Sequence, residues 1–98
     1  MDKEQLKEEY AKRLASNLTK MRAATGLNKK ELSERCGISR QTISKIEDGR
    51  LPMRWDTFMS ILCVFRHNDE AAWYLQKYEI FTDELCTILD YPNRETKQ

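Results

Sequence analysis

The chain contains only three glycines, Gly26, Gly37 and Gly49, and each follows a stretch whose apolar residues recur at helical spacing. Glycine in that place is the left-handed residue at which helices commonly stop. The two prolines, Pro52 and Pro92, lie just past such ends, where they interrupt no helix. No segment alternates apolar and polar residues between turn signals, so no strand is expected. This punctuation predicts an all-α chain of short helices behind one long one.

Leu6, Tyr10, Leu14, Leu18 and Met21 are spaced by four, four, four and three, one face of a long first helix ending near Thr25. Asn28, with Glu31 three residues on, is an Asn version of the capping box and starts helix 2, roughly Lys29 to Cys36. Ser39 caps helix 3, Arg40 to about Asp48, which turns Ile43 and Ile46 inward. Helix 4 spans roughly Trp55 to Arg66, and its Trp, Phe and Met side chains are expected in the core. Asn68 caps helix 5, about Asp69 to Tyr78. Thr82 caps a last helix, Asp83 to Leu89, ahead of Asp90-Tyr91-Pro92 and a polar tail.

Ninety-eight residues leave room for one hydrophobic core. The longest apolar run, Ile61 to Phe65, is far below the ~20 residues that span a bilayer. The charged start, MDKEQLKEEY, has no apolar signal-peptide region. Cys36, Cys63 and Cys86 have neither disulfide-framework nor C-x-x-C spacing, and lie in apolar stretches that predict buried thiols. With one histidine, His67, placed near a helix end, no metal site and no cofactor is expected. A phosphate-cradling Gly-rich loop, a nucleophile elbow and a Cys/His or Ser/His pairing are all missing, which argues against an enzyme. The expectation is a soluble, reduced, cytoplasmic, non-membrane protein.

Charge is distributed unevenly along the chain. Residues 1–27 carry six basic and four acidic side chains, residues 28–54 seven and four, and residues 55–98 four and eight. The segments therefore stand at +2, +3 and −4, summing to the formal +1. A basic middle with an acidic end suggests one side facing a polyanion and another turned away from it.

The basic middle also carries the most specific motif. Two short helices joined at Cys36-Gly37-Ile38-Ser39 form a helix-turn-helix signature, with Gly37 at the reversal and Ile38 filling the angle. The outer face of the second helix is Arg40, Gln41, Ser44 and Lys45, at i, i+1, i+4 and i+5. Arg and Gln suit bidentate hydrogen bonds to guanine and adenine edges, and a helix fits the major groove.

From about Leu14 to Phe65 the chain resembles the phage-repressor/Cro-like, or XRE, helix-turn-helix regulators. The matching elements are Leu18, Met21-Arg22, Gly26-Leu27, Glu31-Leu32, Gly37-Ile38-Ser39, Thr42-Ile43-Ser44, Ile46-Glu47 and Gly49. The resemblance implies a compact five- to six-helix bundle of the lambda-repressor-like DNA-binding type, here with an extended first helix. It implies a DNA-binding core over residues 1–67, with the motif at about 28–48, and a transcriptional repressor acting on double-stranded DNA at a palindromic operator. By the same resemblance Arg40, Gln41, Ser44 and Lys45 read bases, while Asn28, Lys29, Ser39, Thr42, Arg50 and Arg54 hold phosphates. Lys29 stands where the family commonly has Gln, which favours backbone contact there over base reading. Arg22 and Glu47 fall where the family has an internal ion pair.

Residues 68–98 exceed what the family core requires. Trp73, Tyr74, Tyr78, Phe81, Leu85 and Leu89 are more large side chains than a four-helix core needs, so a homodimer interface is expected there. Two other roles are open to this segment. It could wrap back onto the start of helix 1 at Leu6 and Tyr10, or it could bind a protein partner as an antitoxin does, with the helix-turn-helix retained for autoregulation.

Overall fold

In the computed structural model, which describes residues 2–89, every helix start except that of α4 is closed by the side chain that precedes it. α1 (Lys3–Thr25) opens on a reciprocal box between Asp2 and Gln5 and ends at Gly26, φ 73°. α2 (Lys29–Cys36) opens on a second box, in which Asn28 Oδ1 accepts from Glu31 N at 2.7 Å and Glu31 Oε1 accepts from Asn28 N at 2.9 Å. It stops at Gly37, φ 78°. α3 (Arg40–Glu47) begins where Ser39 Oγ accepts from Thr42 N. α4 is Trp55–Arg66, with His67 at its C-cap. α5 (Asp69–Lys77) and α6 (Asp83–Leu89) are capped by Asn68 and by Thr82, whose Oγ1 accepts from Leu85 N. There is no strand among the described residues. Over the described residues the fold is an all-α bundle of six helices. The polar tail from Asp90 onward lies outside the described residues.

One core runs through all six helices. Leu14, Leu18 and Met21 of α1 meet Leu32 of α2, Ile43 of α3 and Phe58, Ile61 and Phe65 of α4, all fully enclosed. Trp55 and Met59 sit at the edge of this core, half-buried, because they begin and flank the inward stripe of α4. α3 packs on α1 and α2, and α2 also packs on α4, so α2 and α3 are held at a fixed mutual angle.

α5 and α6 close the bundle along α1, tied to its first half through Tyr10 and Arg13. Both pack on α1, and Leu75, Ile80 and Leu85 are enclosed at 1% exposure or less. Tyr10 is equally buried; its hydroxyl donates to Glu84 Oε1 at 2.8 Å and is hydrogen-bonded to Thr82 Oγ1. Burial and the Glu84 carboxylate together raise the Tyr10 pKa, against a smaller opposing effect of Thr82. Arg13 stacks over the Tyr10 ring and donates from Nη1 to the Glu79 carbonyl at 2.8 Å. Glu79 itself sits at φ 58°, the non-glycine residue of the described chain in the left-handed region.

Two expectations are corrected here. Leu85 is not available to a dimer interface, because it points into the core beneath α1. Helices 5 and 6 do wrap back onto the start of α1, as the second possibility had it. The predicted burial of the cysteines fails for Cys63 and Cys86, both exposed, while Cys36 is half-buried. Phase explains both: Cys63 is off the Phe58-Ile61-Leu62-Phe65 stripe, and Cys86 is one residue past Leu85.

Candidate nucleic-acid interface

Two caps and one ion pair position the helix-turn-helix. Gly37 turns the chain out of α2, and Ser39 immediately restarts it as α3. Ile38 packs half-buried against the core between them. The far end of α3 is tied to α1. Arg22 Nε donates to Glu47 Oε2 at 2.6 Å and Nη2 donates to Oε1 at 2.9 Å, while Nη1 reaches the Leu27 carbonyl. Thr19 adds a hydroxyl donor to Glu47 at 2.9 Å. Burial pushes the Glu47 carboxyl up, but hydrogen bonds from Arg22 and Thr19, with the charges of Arg22 and Lys29, outweigh it and leave its pKa below the ordinary range. The same bonds raise the Arg22 pKa, against burial, which lowers it. A charged, doubly hydrogen-bonded pair therefore sets the pitch of α3 against α1.

That placement opens a shallow cleft of about 640 Å³ along α2 and α3, lined by Lys29, Ser33, Ser39, Arg40, Gln41, Ser44, Lys45 and Arg50. Four of these eight side chains are cationic and none is acidic. Arg40, Gln41 and Lys45 are exposed, and Ser44 is half-buried between them. Ile43 and Ile46, on the opposite side of α3, are buried. The four residues expected to read bases thus share one outward face.

The residues expected to hold phosphates divide. Lys29, Ser39 and Arg50 line the cleft beside that face. Asn28 caps α2 with its side-chain oxygen engaged on Glu31 N, and Thr42 is half-buried with its hydroxyl near Ser39 Oγ at 2.9 Å. Arg54 stands apart. It lines a larger groove of about 960 Å³ between the N-terminal half of α1 and the Gly49–Arg54 loop, and lies 3.7 Å from Asp56. The rim of that groove mixes Glu4, Glu8 and Asp48 with Lys7, Lys12, Arg50 and Arg54, so it carries no excess of cations comparable to the cleft. Arg50 borders both and pairs with Asp48 at 3.1 Å, a solvent-exposed contact of little strength.

Ser33 belongs to the cleft and was not singled out from the sequence. Its signal was present: it lies four residues after Lys29, on the same face of α2. Among the described residues no group of three His, Cys, Asp or Glu side chains could hold a metal ion.

The fold and this cleft define a DNA-binding helix-turn-helix protein. Residues 13–71, more than half the chain, match the family described as a helix-turn-helix domain, and the chain belongs to that family. No curated protein and no solved structure matches it. No helix among the described residues is long and apolar enough to cross a membrane.

Proposed function

We propose that the protein is a small transcriptional regulator, a repressor of the phage-repressor/Cro-like (XRE) type that binds a specific palindromic site in double-stranded DNA. α3 enters the major groove, and Arg40, Gln41, Ser44 and Lys45 read base edges. Lys29, Ser39 and Arg50 contact the backbone beside them. Asn28 presents the N-terminus of α2, where free N–H groups and the helix dipole favour a phosphate. Thr42 and Arg54 serve as outlying backbone contacts. The protein acts as a homodimer joined through residues 68–98, because one recognition helix reads too few base pairs for strong selectivity.

The observation that carries this reading is the cleft itself: four cations and no acid, with Gln41 and Ser44 between them. A polyanion is the ligand that such a surface favours, and the amide and hydroxyl groups add what phosphates alone do not need. The folding of α5 and α6 onto α1 within a single chain supports a self-sufficient regulator over a segment that orders only on a toxin-like partner. The test is in vitro selection from a random duplex pool with the purified protein. Enrichment of a two-fold symmetric motif is expected; a pool that stays random at moderate salt would sink the proposal.

A further inference from the structure

We infer that each half-site of the DNA presents, in order along the major groove, a guanine to Arg40, an adenine to Gln41, a base pair that is not selected, and a second guanine to Lys45. The inference rests on the DNA-binding reading proposed above and adds to it the identity of the bases. What carries it is a division among the polar side chains along α2 and α3. Ser39 is engaged with Thr42: its Oγ accepts from Thr42 N at 3.1 Å and lies 2.9 Å from the Thr42 hydroxyl. Arg50 Nη2 donates to Asp48 Oδ2 at 3.1 Å. Arg40, Gln41 and Lys45 are different. All three are exposed, and among the described residues their side chains make no hydrogen bond and no ion pair.

These unengaged groups stand on a helix whose rotation is fixed. Ile43 and Ile46 are buried on its inner side, and Glu47 is held by Arg22. At its end Arg50 N and Leu51 N both donate to the Lys45 carbonyl, at 2.9 and 3.2 Å. The donor sets of the three side chains therefore decide what they recognise. Arg40 offers a planar fork of donors and no acceptor, which matches the adjacent N7 and O6 acceptors of guanine. Gln41 offers one amide donor face and one acceptor, which matches adenine N7 and N6. Lys45 only donates, and guanine is the base that concentrates acceptors in the major groove. No carboxylate lines the cleft to accept from a cytosine amine, so each G·C pair is read through its guanine.

Spacing along α3 sets the order of the positions. Arg40 and Gln41 are consecutive and project about 100° apart, so they address neighbouring pairs. Lys45 lies four residues after Gln41, on the same stripe of the helix. That is about 6 Å along the axis, close to two base-pair steps of about 3.4 Å. Ser44 faces the pair between. It is short and half-buried, and its hydroxyl both donates and accepts, so it contacts that pair without choosing among bases.

Exchange of side chains tests the assignment better than truncation does. Wild type, Arg40→Gln and Gln41→Arg, as full chains, would each be selected against the same random duplex pool. The wild-type half-site should read guanine, adenine, any base, guanine. Arg40→Gln should turn the first position from G·C to A·T, and Gln41→Arg should turn the second from A·T to G·C, each preference reversing by about tenfold or more. All three residues tested or spared here are exposed, so the variants should keep the wild-type circular dichroism. Substituting 7-deazaguanine for the first guanine of the selected duplex removes the N7 acceptor; it should weaken wild type by about tenfold and leave Arg40→Ala unchanged. A wild-type motif with other bases at these positions overturns the inference and leaves the regulator standing. So do variants that select the wild-type motif, or a 7-deaza duplex that binds as tightly as its parent. Pools that stay random for all three chains overturn both readings.

Discussion

Replacing Arg22 by alanine should destabilise the protein by about 3–5 kcal/mol, the usual result of stranding one partner of a buried ion pair. The environment supports the upper part of that range. Glu47 keeps only 5% of its side-chain surface in water and Arg22 only 14%. Two of the three side-chain hydrogen bonds to the Glu47 carboxylate come from Arg22, so the variant leaves a buried carboxylate with one hydroxyl, that of Thr19. A chain of this length has a total stability of about 5–15 kcal/mol, so from about a fifth to the whole of it is at stake. Thermal melts followed by circular dichroism should fall by at least about 12 °C. The effect should also depend on pH in a defined direction. Glu47 is held below its unfolded pKa of about 4.3, so the pair's contribution is complete above that pH and is lost as the pH falls through the folded value. Arg22 stays charged throughout, so the gap between wild type and Arg22→Ala should be widest near neutrality and narrow in acid. A variant that melts within about 2 °C of the wild type at pH 7 would refute the assignment of α3's pitch to this pair.

Three further outcomes follow from local geometry. Glu79→Gly should stabilise by about 0.5–1 kcal/mol in urea titrations, because glycine relieves the left-handed backbone while keeping the carbonyl that Arg13 holds; a loss would mean that the Glu79 side chain itself matters. Tyr10→Phe removes the hydroxyl shared by Thr82 and Glu84, so amide exchange should quicken in α6 by about tenfold while α2 and α3 keep their protection. In the native protein Cys63 and Cys86 should react with a maleimide well before Cys36, which is half-buried and whose thiol pKa burial pushes up; equal rates at all three would contradict the packing of α2.

Helix limits were legible because capping chemistry is local. Asn28 with Glu31, Ser39, and Gly26 and Gly37 mark their boundaries by hydrogen bonds and backbone angles spanning three or four residues. The outward face of α3 was legible for a similar reason, since Ile43 and Ile46 fix its phase. The resemblance added the Arg22–Glu47 pairing, which no short-range pattern announces across 25 residues. Leu85 was misread because counting surplus apolar residues does not say which surface they serve. Ile80, Leu85 and Ile88 are taken into the core, leaving Trp73 as the exposed remainder. Arg54 lies in a loop, where spacing says nothing of direction, and it emerged on the other groove. The left-handed Glu79 was invisible for the opposite reason: glycine would have marked that turn, and this chain uses glutamate instead.

The central claim is that the α2–α3 cleft separates base reading from backbone binding, and paired affinities test it most directly. Wild type, Gln41→Ala and Lys29→Ala would each be titrated against the selected duplex and its single-base variants over a range of salt. Gln41→Ala should lose about 1–3 kcal/mol on the selected site and become indifferent to one or two base positions, leaving its salt slope intact. Lys29→Ala should weaken binding to every duplex alike and flatten the salt slope by about one unit. If Lys29→Ala instead relaxed selectivity at a single base while Gln41→Ala did not, the cleft would be oriented the other way on DNA and the account would be wrong.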